Sequence, residues 1–389
     1  MQDTTRSDLV FVSREEYDLL SDMVGRAVER STRKASTGRS VWQQLVDAGV
    51  LSAALPEAEG GFGDARAVSV IAELLGYHGI VSPFIPSSAV VTRALSRVPD
   101  PSGSIEIRQR IAGGEIVATL PIIPHLSAIS ATPVESSNTI VPACSLSGRA
   151  QLVPFGAEAG IILIEATLMP PGQTSEPAVF LIDKDDVKVE NSVIGIDGFP
   201  YADVVLDGVA AAPARLLCRG DGARDLMEWC RDAYLTTLCA DALGAMSRLV
   251  AITGDYLKVR HQFGAPLASY QALRHRFVDM DIAVTQTRTV AEMAAGVLDD
   301  NDADTRRNAV TTAHYITVRA AFHVSQEAVQ LHGAIGMAEE TPISGYFKRL
   351  LAISLLFGDE DSALNRYTAG AACDGLDAGR PAPRSGCCG

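Results

Sequence analysis

The sequence predicts an α+β fold with an N-terminal helical domain, a central β-sandwich or β-barrel domain and a C-terminal four-helix bundle. Two observations support this prediction: apolar residues recur at helical spacing towards both ends of the 389-residue chain, and short β-branched segments fill the middle. Helices and strands thus occupy separate blocks, which excludes the alternating order of a parallel nucleotide-binding sheet. The predicted domains cover residues 1–114, 115–222 and 223–372, and a flexible tail follows over 373–389.

The N-terminal domain is predicted to be helical between residues 14 and 97. One helix is indicated by apolar residues at positions i, i+3, i+4 and i+8, and Pro56 is expected to end it. These apolar residues are Trp42, Leu45, Val46 and Val50. After a Gly-rich loop, Asp64 is placed to cap the next helix, and a further helix is expected from about Ser87 to Ser96.

The central domain is predicted from five β-branched segments separated by Gly, Pro, Asp and Ser clusters. They read EIVATLPII, NTIVPACSLSG, AGIILIEATLM, AVFLID and ADVVLDG. The helical period then returns and predicts long helices over 225–259, 268–299, 304–332 and 342–356. These four helices form the predicted bundle.

Composition and charge narrow the possible functions. The formal charge of −14 disfavours a general role in nucleic-acid binding, because an acidic protein repels a polyphosphate at long range. The N-terminal residues do not resemble a secretion signal, and the longest apolar runs, such as LLAISLLF, are far shorter than the roughly 18 residues of a membrane span. We therefore expect a cytoplasmic protein without a membrane partner.

Several common kinds of site find no support in the sequence. The seven cysteines lack metal-type C-x-x-C pairs and are interpreted as reduced structural thiols. The histidines have no H-E-x-x-H context, so no metal site is predicted, and a G-x-S-x-G nucleophile elbow is missing. The G-x-G-x-x-G and G-x-x-x-x-G-K-[ST] loops are missing too, so a nucleotide cofactor would need another kind of binding site.

Three motifs together resemble the acyl-CoA dehydrogenase family. They are VWQQLVDAGVLSAALPEAEGGFGDA near the N-terminus, VRHQFGAPLASYQALRHRFVDMDI in the bundle, and AVQLHGAIGMAEETPISGYFKR farther along. Their order and separation match the family over nearly all of residues 14–370. The resemblance implies FAD as cofactor, an acyl-CoA or carrier-bound acyl thioester as substrate, and an electron-transfer flavoprotein or similar electron acceptor.

The resemblance also implies where FAD binds. Arg260 of the R-x-x-F-G motif would lie near the FAD pyrophosphate of a neighbouring subunit, with Phe263 stacking close by. Gln271 would bond farther along the cofactor, and Gln262 belongs to the same motif. A guanidinium suits a diphosphate because its planar fork gives bidentate, charge-assisted hydrogen bonds. The alternative for Arg260 is a surface charge that favours the negative end of a helix dipole.

A glycine-rich turn carries the remaining cofactor residues. QLHGAIG resembles the family's Q-x-x-G-G-x-G, so Gln330, Gly333 and Gly336 are expected to approach the cofactor of the partner subunit, although Ala334 replaces the second glycine. Spacing alone would indicate a helix C-cap. Because both motifs act across subunits in the family, the resemblance implies a homodimer or homotetramer, or a hetero-oligomer with a second dehydrogenase-like chain.

The catalytic base has more than one candidate. Family members remove the α-proton of the thioester with a carboxylate in a dry cleft. Alignment of FGDEDSALNRY with the family's Y-E-G-T-x-x-I-x-R places Asp359 at the base, and a shift of one residue would place Glu360 there. Asp232, on the first bundle helix, is a further candidate. The alternatives are a chain without a working base, and a solvated turn or helix cap at GDEDS.

The β domain departs from the family pattern. TLPIIPHLSAIS and GRAQLVPFGAEAG replace the usual T-E-P-x-x-G-S-D and K-x-W-I-T-N segments, which leaves Thr119, Val153 and Pro154 as candidates for contacts with the flavin ring. This pattern is similar to divergent subunits of actinobacterial heteromeric dehydrogenases. The resemblance thus implies an acyl-thioester dehydrogenase that forms an α,β-double bond. The alternatives are a non-catalytic subunit that completes an FAD site, and a flavin oxidase or oxygenase.

Overall fold

A computed structural model of the protein describes residues 12–33, 41–99, 103–134, 143–170, 172, 174–358 and 360–373. Within these residues the elements follow the predicted order of helices, strands and helices, which confirms the α+β class. The domain boundaries at residues 114, 222 and 372 stay predictions.

Helices make up the described part of the N-terminal region. They are α1 (Arg14–Arg33), α2 (Val41–Asp47), α3 (Ala65–Tyr77), a π-helical stretch (Ile85–Thr92) that continues into the short α4 (Arg93–Leu95), and α5 (Ser104–Ala112). Asp64 caps α3 as predicted, since its Oδ1 accepts hydrogen bonds from the backbone N–H groups of Arg66 and Ala67 at 2.6 and 2.8 Å.

Two N-terminal elements differ from the prediction. The helix expected to run to Pro56 ends at Asp47, because the chain turns at Gly49. Gly49 has a φ of +75°, a left-handed conformation that glycine adopts without steric cost. The helix expected near Ser87 is wound more widely, as a π-helix. There the Thr92 hydroxyl donates to the Ser87 carbonyl, five residues back, at 3.0 Å. Apolar periodicity does not distinguish these two kinds of winding.

In the described residues, the central strands form one eight-stranded mixed sheet. The strands are β1 (Ala118–Thr119), β2 (Ser127–Pro133), β3 (Cys144–Pro154), β4 (Ile161–Leu168), β5 (Glu176–Asp183), β6 (Lys188–Ile194), β7 (Pro200–Ala211) and β8 (Leu216–Arg219). Their order is β6-β7-β3-β2-β4-β5-β8, and β4 pairs in parallel with both β1 and β2.

The sheet curves around a core of its own. Register shifts interrupt the pairing of β3 with β7, and such bulges bend a sheet. Leu146 of β3 and Leu206 of β7 belong to the same buried cluster as Ile164 of β4 and Phe180 of β5. The predicted sandwich or barrel is thus refined to one continuous, curved sheet that encloses apolar side chains.

Long helices form the C-terminal region. They are α6 (Asp221–Val259), α7 (Gln271–Val297), α8 (Ala303–His332), α9 (Pro342–Leu356) and α10 (Glu360–Cys373). The first four pack against one another, α10 packs on α8, and the ends of the four predicted bundle helices are correct to within a few residues. A small hairpin, β9 (His261–Gln262) with β10 (Ala265–Pro266), separates α6 from α7.

Helix α6 is the central element of this region. By length and composition alone it could cross a membrane, but 78% of its most apolar window is buried inside the protein, as in the core helix of a bundle. It approaches α3 closely at Gly244, where an added Cβ would lie only 1.8 Å from the carbonyl oxygen of Glu73. Glycine at this position allows the two helices to pack together and positions the N-terminal helices on the bundle.

Candidate functional site

A cavity of about 710 Å³ lies where the bundle meets the segment between β1 and β2. Helix α6 contributes Asp232 and Leu235 to its wall, α8 contributes Arg307 and His314, and Phe357 follows the end of α9. The volume lies within the range of about 300–1,000 Å³ that is typical of small-molecule sites. A second cavity, of about 440 Å³, lies between the sheet and α6 and shares Arg231 with the first.

Arginines hold the carboxylates that line the larger cavity in the described part of the chain. Asp232 Oδ2 lies 2.7 Å from Arg306 Nε, with both side chains buried. Glu228 Oε1 and Asp304 Oδ1 accept hydrogen bonds from Arg307 Nε and Nη1, each at 2.8 Å. These are charge-assisted hydrogen bonds, so each carboxylate already has a cationic partner.

The surroundings of Asp232 make it a poor candidate for the base. Burial raises the pKa of Asp232, and the hydrogen bond and charge of Arg306 oppose that rise. To accept a substrate proton, Asp232 would have to give up its ion pair and leave Arg306 as a buried charge without a partner. Asp232, a candidate base from the sequence, thus lies in the cavity wall, but its geometry favours a structural role.

The segment with the other base candidates borders the same cavity. Asp359 lies outside the described residues. Glu360 is the first residue of α10, and its side chain is not described. Gly358 and Ser362, on either side of these two residues, line the cavity. Gly358 has a φ of +96°, and an added Cβ would meet the Ser362 side chain at 2.6 Å, so the turn between α9 and α10 requires glycine.

His314 and Arg366 form a further pair in the wall. The His314 side chain is 2% exposed, and its Nδ1 lies 3.2 Å from Arg366 Nη2. Burial, together with the nearby Arg366 charge, lowers the pKa of His314 to about 4, so the ring is neutral at physiological pH. Phe357 stands edge-on to the ring, with centroids 6.2 Å apart.

The residues assigned to the FAD diphosphate lie at the turn after α6. Arg260 directly follows α6, is exposed, and has no ion pair among the described residues. Phe263 is 92% exposed and has a φ of +54°, a strained backbone conformation for a residue with a side chain. The Tyr270 hydroxyl lies 2.9 and 3.2 Å from the carbonyl oxygens of Gln262 and Phe263 and steadies this turn.

The glycine turn lies at the same end of the bundle. Gln330 is exposed, and Gly333 ends α8 with a φ of +65°. Gly336 is buried, and an added Cβ would lie 2.8 Å from the Val329 carbonyl oxygen. The rings of Tyr256 and His332 stack at 4.3 Å, which brings the end of α6 beside the end of α8. The two cofactor motifs are therefore neighbours within one chain.

These features fit the adenosine diphosphate part of FAD. An exposed guanidinium beside an exposed aromatic ring, with Gln271 exposed at the start of α7, supplies donors for a diphosphate and a flat apolar surface. The suggested contacts with the flavin ring are different. Thr119, Val153 and Pro154 are all buried, and the Thr119 hydroxyl donates to the Pro154 carbonyl, so these side chains are used inside the protein.

Sequence reasoning missed the polar residues of α8. Asp304, Arg307, Thr311 and His314 recur at helical spacing, which is also the pattern of a solvated helix face. Arg306, the partner of Asp232, carried no signal at all. The helical spacing could have marked one common face, but only the tertiary structure shows that this face lines a cavity.

Comparisons with known proteins agree with the fold and the motifs. Residues 235–371 match the family model described as the acyl-CoA dehydrogenase C-terminal domain. The chain is 27% identical over 341 residues to acyl-CoA dehydrogenase FadE27 of Mycobacterium tuberculosis, covering 84% of this chain and 87% of that one.

Solved structures show the same similarity. The structure titled Tcur3481-Tcur3483 steroid ACAD G363A variant is 26% identical with a TM-score of 0.78, covering 92% of this chain and 97% of that chain. A glutaryl-CoA dehydrogenase from Mycobacterium smegmatis in complex with FADH2 shares the fold, at 18% identity and a TM-score of 0.79, covering 95% of this chain and 97% of that chain. The chain is thus similar over most of its length to acyl-CoA dehydrogenases, a family of oxidoreductases whose cofactor is FAD.

Proposed function

We propose that the chain is an FAD-dependent acyl-thioester dehydrogenase that introduces a double bond between Cα and Cβ. The supporting observation is that Gly358 and Ser362 line the larger cavity on either side of the candidate bases. The proposal therefore assigns the base to Asp359 or Glu360. The first candidate substrate is an acyl-CoA, and a carrier-bound thioester is chemically equivalent.

The cavity wall suits removal of an α-proton. Leu235, Leu356 and Phe357 contribute apolar surface, and such surroundings raise the pKa of a carboxylate and make it a better proton acceptor. The base takes the α-proton, and the β-hydrogen leaves with its electron pair as hydride. Bound FAD would accept that hydride and pass two electrons to an electron-transfer flavoprotein or a similar acceptor.

The proposal includes an oligomer. Arg260, Phe263 and Gln271, together with the Gln330–Gly336 turn, would bind the FAD of an adjacent subunit. Their exposure at one end of the bundle supports this arrangement, because these polar groups and the aromatic ring lack a partner surface in the described part of the single chain. The adjacent subunit is either a second copy or a related dehydrogenase-like chain.

Turnover by purified protein tests the proposal. The chain, with added FAD, is assayed with saturated acyl-CoAs and an artificial electron acceptor, and the product is identified by mass as the substrate minus two hydrogens. Asp359→Asn and Glu360→Gln are compared, and the variant that removes the base should lose about 10²–10⁴-fold in rate. Full activity in both variants would exclude both residues as the base.

One observation favours a second function, a non-catalytic subunit that completes the FAD site of a partner. In the described part of the chain, each carboxylate in the larger cavity is held by an arginine and is not poised to accept a proton. A similar solved structure, the Tcur3481-Tcur3483 steroid ACAD, is named after two proteins. Such a subunit would be colourless and inactive alone and would gain flavin only with a second chain.

The same preparation separates these functions. Activity of the chain alone supports the dehydrogenase, whereas activity and flavin only after addition of a dehydrogenase-like partner support the second function. Hydrogen peroxide formed in step with acyl-CoA oxidation, without another electron acceptor, would instead indicate a flavin oxidase.

A further inference from the structure

One cation in the wall of the larger cavity has no acid as a partner. Arg366 of α10 lines the cavity of about 710 Å³, is exposed, and forms no ion pair within the described part of the chain. The protein around the side chain still removes part of its water, and this desolvation lowers the pKa of Arg366. A partly desolvated charge without a counter-charge is costly, and an anion in the cavity would offset that cost.

The contacts of Arg366 place its guanidinium at the cavity. Nη2 lies 3.2 Å from Nδ1 of the neutral His314 ring, and Nη1 lies 3.8 Å from the position that a Cβ would have on Gly358. His314 and Gly358 both line the cavity, so the guanidinium lies between two parts of its wall. Because His314 takes only one of the five N–H donors of the arginine, donors remain for a ligand.

The other acids and arginines that line this cavity in the described residues are already matched. The pairs are Arg307 with Glu228 and Asp304, Arg231 with Glu165, and Asp232 with Arg306. None of these acids is left over for Arg366. The cavity therefore has one positive charge that a ligand, rather than a side chain described here, can neutralise.

We infer that Arg366 is a specificity-determining residue that binds a carboxylate on the acyl group, so that the preferred acyl group is the monothioester of a dicarboxylic acid. This inference rests on the proposed function, because it takes the larger cavity to be the acyl site. A guanidinium suits a carboxylate, since its planar fork gives two parallel, charge-assisted hydrogen bonds.

The position of Arg366 favours a short acyl group. Its Nη1 approaches Gly358, which directly precedes the two proposed bases, Asp359 and Glu360. The base has to reach the α-carbon, so the thioester end of the substrate and the bound carboxylate would both lie near the turn between α9 and α10. A short dicarboxylic chain fits these two requirements better than a long one.

Matched ligands test the inference. The full-length protein with FAD is titrated calorimetrically with glutaryl-, adipyl- and suberyl-CoA, each compared with its terminal methyl ester, which has nearly the same shape without the charge. At least one carboxylate should bind about tenfold or more tightly than its ester, as expected for hydrogen bonds between charged groups. The net charge of −14 repels anions at long range, so such a gain would come from a local cation.

Variants separate the guanidinium from the shape of the cavity. Arg366→Leu should abolish the preference for the carboxylate, and Arg366→Lys, which keeps the charge but loses the fork, should retain part of it. Lys348→Gln is the control, because Lys348 pairs with Glu339 outside the cavity wall, and it should leave the preference unchanged. If Arg366→Leu does not fold, the ligand series in the wild type and in Arg366→Lys decides the matter.

The outcomes distinguish this inference from the function on which it rests. Equal binding of acids and esters by the wild type, or a preference that survives in Arg366→Leu, would overturn the role of Arg366 and leave the dehydrogenase proposal standing. An equal loss of affinity for acids and esters in Arg366→Leu would also overturn it, because the guanidinium would then bind the phosphates of CoA. Failure of every acyl-CoA to bind would overturn both.

Discussion

Replacement of Asp232 by asparagine tests whether the buried ion pair with Arg306 organises the cavity wall. The two side chains are 9% and 6% exposed, and Oδ2 and Nε lie 2.7 Å apart. Removing one member of a buried pair costs about 3–5 kcal/mol, because the remaining charge stays in the interior without a partner. The pair as a whole contributes much less, since burial raises the pKa of Asp232 against the attraction of Arg306.

The effect is measured as a shift in the urea unfolding midpoint followed by circular dichroism. Asp304→Asn is the matched control, because Asp304 also pairs with an arginine of α8 but is 72% exposed, and an exposed pair is worth about 0.2–1 kcal/mol. A double variant, Asp232→Leu with Arg306→Met, removes both charges and should recover much of the loss.

Two results would refute the reasoning. Asp232→Asn could shift the midpoint no more than Asp304→Asn, which would mean that water or neighbouring groups replace the partner of Arg306. Alternatively, the double variant could be as unstable as the single one, which would show that packing, rather than the uncompensated charge, sets the cost.

Three further predictions follow from the contacts described above. Arg260→Ala should weaken FAD binding about tenfold or more without loss of thermal stability. The control is Lys258→Ala, which removes a cation paired with Asp255 at the same helix end and should leave FAD binding unchanged. Equal FAD content in the two variants would argue against the diphosphate site. Burial raises the pKa of Glu292 to about 7, so the folded state holds its proton more tightly than the unfolded state and the wild type loses stability as pH rises from about 4.5 to 7. Glu292→Gln should therefore gain stability relative to the wild type over that range, and urea midpoints that differ equally at pH 4 and pH 8 would contradict this. Burial raises the pKa of the Cys230 and Cys239 thiols to about 12, so both should react with a thiol reagent only after unfolding, and rapid modification in the native protein would be inconsistent with their burial.

The helices could be predicted because their apolar periods are long and are reinforced by local signals. Asp64 illustrates this, since one residue both ends a loop and bonds the first turn of α3. The early end of α2 depends on the turn at Gly49. The sequence does not distinguish a glycine that makes such a turn from a glycine inside a helix. The π-helical winding near Ser87 depends on hydrogen bonds that leave the apolar pattern unchanged.

The proposed cofactor residues could be suggested from the sequence because short motifs carry them. Arg260 and Phe263 belong to one motif and Gly333 to another, and the stacked rings of Tyr256 and His332 bring the two motifs to the same end of the bundle. His314 had no such signal, because its place in the cavity wall and its pairing with Arg366, 52 residues away, arise only from the tertiary structure. The pairing of Asp232 with Arg306 spans 74 residues, so the sequence left Asp232 as a candidate base although an arginine already holds it.

Single-turnover reduction of the flavin tests the central claim most directly. The purified protein carrying FAD is mixed with a saturated acyl-CoA without oxygen, alone and together with a dehydrogenase-like partner chain, and the flavin absorbance is followed. The dehydrogenase proposal predicts rapid bleaching by the chain alone, which is lost in Asp359→Asn or in Glu360→Gln. Flavin that stays oxidised with every saturated acyl-CoA, or that bleaches equally in both variants, would contradict the assignment of the base to this chain.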